Sequence, residues 1–122
     1  MISPEELQEL ESTLLPSLER HHLRLLAHGL RTLQSVAGRR SGPLPDPAAL
    51  QAWALRQPAI AGDPAFAEPF LAQMRSLGTQ LTAIAATQGR SAPLDLEMAD
   101  LIAWARVSAD ARISPEQQAL HD

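Results

Sequence analysis

The chain contains no cysteine. That excludes a disulfide framework, a thiolate nucleophile, Cys-ligated zinc and an iron–sulfur cluster in one step. Tyrosine is also missing, and two Phe and two Trp are the only aromatics left, so platforms for stacking nucleic-acid bases are scarce. Lysine and asparagine are absent too, which fits a GC-rich coding bias, and all ten positive side chains are Arg. Val and Ile are few, which argues against strands. No uncharged apolar run approaches the length of a membrane span.

What remains is a 122-residue chain, 45% hydrophobic and 20% charged, the balance of a globular protein. Its apolar supply is mostly Leu and Ala, both strong helix formers. The expected architecture is a single all-α domain over residues 1–122, a small antiparallel bundle of about five helices. The formal net charge is −4, so contact with a polyanion would need a segregated basic face. The opening "MISPEEL" reads as a helix start without a basic and apolar leader, and a cytoplasmic protein is expected.

Caps and prolines mark the helices. Ser3, Pro4 and Glu6 have the grammar of a capping box, followed by Leu7, Leu10 and Leu14 at helical spacing. Pro16 kinks or breaks that rod, giving one bent helix or two nearly collinear ones. From 17 to 37, Leu18, His22, Leu25, Leu26, Gly29, Leu33 and Val36 gather on one side of the wheel. Arg20, Arg24, Arg31, His21 and His28 gather opposite, as a solvated face. Gly29 sits within the dry face, where close approach of another helix would compensate its poor propensity. Gly38 closes this helix. Asp46 and Pro47 open a short one to about Gln57, which Pro58 ends, with Trp53 plugging one end of the core. A short turn near 63 to 68 precedes a longer helix with the stripe Phe70, Met74, Leu77, Leu81 and Ile84, closed by Gly89. Pro93 starts a helix to about Ala109 whose main row is Leu94, Met98, Leu101, Ile102, Ala105 and Ala109. Leu96, Ala103 and Val107 form a thinner row almost opposite. "ISPEQ" at 113–117 then starts a last turn or two.

Three chemistries compete for these features. A helix apolar on two sides is either central to its own bundle or shared with a neighbour's, and the first reading is a non-enzymatic interaction, assembly or regulatory module. Its partner is a protein, possibly a second copy in a homodimer, and Gly29, Leu96, Ala103 and Val107 are the interface. The alternative is a phosphate or nucleic-acid binder using Arg20, Arg24, Arg31 and His28. Against it stand five glutamates in the same N-terminal third, Glu5, Glu6, Glu9, Glu11 and Glu19. The most remote alternative is a helical metal enzyme. Glu19 and His22 have the E-x-x-H spacing of di-iron carboxylate bundles, but such a site needs two of these motifs and two further carboxylates. Only one occurs, so a metal would require two copies of the chain. With no G-x-S-x-G elbow and no Gly-rich phosphate loop, neither a catalytic residue nor a cofactor is expected.

The segment "LIAWARVSADARISPEQQAL" resembles the AxADGxIxxxE turn of TerB-type helical domains, in which acidic residues beside the turn are linked with metal binding. Ala111 stands where that pattern has Gly, and Gln117 where it has an acid, so no functional residue is carried across.

Overall fold

Four of the six helices among the described residues begin at or next to a residue that the sequence marks as a cap or a proline. In the computed structural model, which describes the backbone of residues 2–121 and the side chains of 2–63 and 65–109, the helices are α1 (Pro4–Glu11), α2 (Ser17–Ala37), α3 (Pro47–Leu55), α4 (Pro58–Gly62), α5 (Ala67–Thr87) and α6 (Met98–His121). Single 3-10 turns occupy Pro64–Phe66 and Pro93–Asp95. There is no strand among the described residues, and the all-α expectation holds. Helix α5 packs across α2, α6 lies on α2, α3 braces α2 and α5, and α1 folds over α2 and α6.

Local chemistry explains the ends. The capping box at α1 is complete: the Glu6 amide donates to Ser3 Oγ and the Ser3 amide to Glu6 Oε1, each at 3.1 Å. Gly38 and Gly89 both take φ 71, the left-handed conformation that lets a chain leave a helix. Asp100, in the first turn of α6, reaches back to accept from the Glu97 amide at 2.8 Å.

The interior is built as the stripes foretell on α5 and α6. Met74, Leu77, Leu81 and Ile84 are buried, as are Leu94, Met98, Leu101, Ile102, Ala105 and Ala109. Several expectations need correction. Pro58 starts α4 rather than only ending α3, because a proline in the first turn loses no intrahelical hydrogen bond. The short turn expected near 63 to 68 is the 3-10 turn at Pro64–Phe66, and Pro69 is accommodated in the first turn of α5. Pro93 opens only a 3-10 turn, since the Leu94 amide donates to Gly42 O at 3.0 Å and Leu94 and Leu96 are both drawn into the core before α6 begins. Helix α6 then runs past Ala109 to His121, with no glycine in that stretch to stop it.

The N-terminal half departs most. Helices α1 and α2 are neither collinear nor one bent rod. The chain reverses through 12–16, so that Glu11 meets Arg24 and Glu6 meets Arg31, an antiparallel hairpin. The Thr13 hydroxyl, buried at the reversal, donates to the Leu10 carbonyl at 2.8 Å. On α2 the buried residues are Leu23, Leu26, Ala27, Gly29, Leu30, Arg31, Leu33 and Gln34. At the ~100° per residue of a helix this face is turned by roughly a quarter rotation from the dry side that the sequence pattern predicts. Leu18 is therefore outside, and Arg31 is inside.

Candidate partner-docking surfaces

Arg31 is 8% exposed, and a guanidinium so far out of water must be paired. Its guanidinium forms a short ion pair with Glu6, donates from Nη1 to Gln34 Oε1 at 2.6 Å, and leaves Gln34 Nε2 to donate to the Leu94 carbonyl at 3.0 Å. One chain of hydrogen bonds thus ties α1 to α2 and α2 to the turn before α6. Glu6 serves twice, as capping residue and as counter-ion. The Arg31 hydrogen bond holds its carboxyl below the ordinary glutamate range; partial burial opposes this, and the Ser3 amide adds to the lowering. Above this network Glu6, Glu9, Arg31, Arg40, Asp95 and Glu97 line an open groove of about 440 Å³.

The Glu6 linkage has a definite sign. A carboxyl whose folded pKa is depressed contributes stability that is present above its unfolded pKa and disappears as pH falls through the folded value. Glu6→Gln is therefore expected to be less stable than the parent at pH 7, and the gap should close as pH drops below the ordinary glutamate pKa of 4.5. Paired urea titrations at pH 7 and pH 3 measure it. A gap that is the same at both pH values would contradict the assignment.

A second surface is apolar. From Pro47 to Phe70 the only charged residues are Arg56, Asp63 and Glu68. Helices α3 and α4 therefore turn Ala48, Ala49, Ala52, Leu55 and Ala59 outward to water. Trp53 and Phe70 stack with ring centroids 5.9 Å apart and planes at 22°, both half-buried against the core. Beside them Ile60, Phe66 and Pro69 complete an open notch of about 390 Å³ whose walls are mainly carbon. Phe66 itself is 57% exposed. A cluster of aromatic side chains around an open apolar notch is what anchors a protein partner.

The residues singled out from sequence are scattered by the fold. Gly29 is buried where α5 crosses α2, with Leu77 against it, so the close approach is internal to the chain. Leu96 is in the core and contributes nothing to a surface. Ala103 and Val107 do face outward on α6. The arginine ridge does not assemble: Arg31 has turned inward, Arg24 is paired with Glu11 at 3.1 Å, and Arg20 Nη2 donates to Ser17 Oγ at 3.3 Å, leaving His28 exposed on that side. His22 Nε2 meets Gln80 Oε1 of α5 at 2.8 Å, and its ring stands edge-on to Trp104 at 5.8 Å. Among the described residues no group of three or more His, Asp and Glu is placed to hold a metal ion. The TerB-like acidic positions and the "ISPEQ" start fall among residues whose side chains lie outside the described set. The notch at Phe66 was missed by sequence reasoning. Its signal was present, in a charge-poor stretch punctuated by Pro47, Pro58, Pro64 and Pro69.

A helical bundle whose buried Arg31 is paired within the chain and whose large apolar groups are left open has the make-up of an interaction module. No helix among the described residues is long and apolar enough to cross a membrane. A family model described as "NDH complex assembly factor CRR9" matches residues 2–112, and the chain belongs to that family. The role is that of a non-enzymatic assembly factor. No curated protein and no solved structure matches the chain.

Proposed function

We propose that this chain helps to assemble an NDH complex by holding a protein subunit of that complex against the apolar cap formed by α3, α4 and the start of α5. The exposure of Phe66 beside the stacked Trp53 and Phe70 carries this reading. Such a notch accepts an apolar side chain from the partner and releases it again without covalent chemistry, as a transient assembly contact requires. The test is co-purification of NDH subunits with a tagged chain. Phe66→Asp is expected to lower their recovery by about tenfold or more, since an uncompensated carboxylate in a desolvated contact costs well over ~1.4 kcal/mol. Thermal unfolding should be nearly unchanged, because Phe66 is already mostly in water. Undiminished recovery by the folded variant would refute the notch.

We also propose that the chain associates with itself. Val107 is 67% exposed and Ala103 lies one turn before it, so the outer face of α6 is apolar there.

A further inference from the structure

We propose that α1 is an exchangeable clasp. Two copies of this chain trade their α1 helices, each docking on α2 and α6 of the other, and the two 12–16 segments run side by side between them. This rests on the self-association reading and supplies its mechanism.

Three observations lead to it. Helix α1 has eight residues and a single buried apolar side chain, Leu10, and it is too short to persist alone in water. Its attachment rests chiefly on the Glu6–Arg31 pair and the buried Leu10. A docking site written in those terms recognises α1 of any copy equally well, so the second copy is its natural occupant. Next, the connection is built to open. Residues 14–16 have no regular structure, and a five-residue connection fully extended reaches roughly 16–18 Å, enough to carry α1 across to a neighbour.

The third observation concerns what the closed chain leaves undone. Leu14, within the hinge, is 99% exposed, and Leu18, in the first turn of α2 beyond it, is 68% exposed. Helix α6 gives them no shelter: Glu19 and His22 face Trp104 and Ser108 across a small cleft, while Leu18 and Val107, the residues just before Glu19 and Ser108, stay outside it. In an exchanged dimer the two hinges lie against each other, so Leu14 and Leu18 of one copy are covered by the same residues of its partner. The two most exposed leucines of the described residues lie at the hinge, as expected of such a junction.

The absence of cysteine makes a clean test available. Glu11 and Arg24 are half-exposed and their ion pair contributes little, so a chain carrying Glu11→Cys and Arg24→Cys should keep its fold. It is treated with a short bismaleimide, denatured and weighed, while light scattering gives the mass of the native form. The expected result is a native dimer whose cross-linked product has twice the chain mass, with both thiols consumed. A native dimer giving a product of one chain mass overturns the exchange and leaves self-association standing. A native monomer overturns both. Leu14→Asp with Leu18→Asp is expected to convert the dimer to monomer at unchanged helical circular dichroism, and a dimer that survives both changes would also sink the proposal.

Discussion

Replacing Arg31 by Ala is expected to lower the unfolding free energy by about 3 kcal/mol, the low end of the range for breaking a buried ion pair. The estimate sits there because the partners differ in their escape routes. Glu6 keeps some access to water on the rim of the open groove, so its carboxylate can turn outward once the guanidinium is gone. Gln34 has no such exit. It is buried, its Nε2 stays committed to the Leu94 carbonyl, and its Oε1 is left without a donor at a cost of about 1–3 kcal/mol. The lost aliphatic stem of Arg31 adds a small cavity. By contrast, Arg24→Ala on the next pair along the same hairpin should cost less than about 1 kcal/mol, because both members of that pair are half in water. Urea denaturation followed by circular dichroism measures both variants. Equal losses from the two would mean that Arg31 is not the buried anchor of α1.

That contrast also shows where the sequence could and could not be read. Helix starts at Ser3–Pro4 and Asp46–Pro47 are local matters of capping, and they were legible. So were the stripes of α5 and α6, because each of those helices presents one continuous apolar face to its neighbours. On α2 the wheel failed by a quarter turn for a reason that no local rule contains. Counting charge as wet and leucine as dry sends Arg31 outward and Leu18 inward. Arg31 goes in because the hairpin delivers Glu6 to it from 25 positions away, and Leu18 stays out because it lies at the hinge, beyond the flanks that α5 and α6 cover. The candidate surface was misjudged in the same manner. Leu96 looks like one member of an outer row only if α6 starts at Pro93; it follows instead a 3-10 turn tied to Gly42 through the Leu94 amide, and it lies in the core.

The two surfaces divide the molecule's work along the same line. Polar, specific pairing is spent within the chain, fastening α1 through Glu6, Arg31 and Gln34. The groups left for a partner are carbon-rich: the Phe66 notch on one part of the bundle, Leu14 and Leu18 at the hinge. The proposed docking would therefore rest on area and shape, which favours contacts that form and dissolve without a chemical step.

The helix crossing on which both surfaces depend is set by one residue without a side chain. A Cβ built on Gly29 would lie 2.8 Å from Leu77 Cδ1 and 3.3 Å from Leu77 Cβ, closer than carbon atoms pack. Gly29→Leu is therefore expected to destabilise the protein by about 3 kcal/mol, the upper part of the usual range for overpacking, since α2 and α5 must separate to admit it. Gly29→Ala should behave differently. The Cδ1 methyl of Leu77 can rotate away, and the gain of up to ~1 kcal/mol in helix propensity offsets the remaining strain, leaving a change within about 1 kcal/mol of zero. The cause is separable from propensity by a second substitution. Leu77→Ala empties the space that the larger side chain of the Gly29→Leu variant requires, so the double variant should be at least about 1 kcal/mol more stable than the sum of the single losses predicts, the coupling expected of residues in contact. Chemical denaturation of the four proteins completes the cycle, and strict additivity would mean that Gly29 is not where α5 rests on α2.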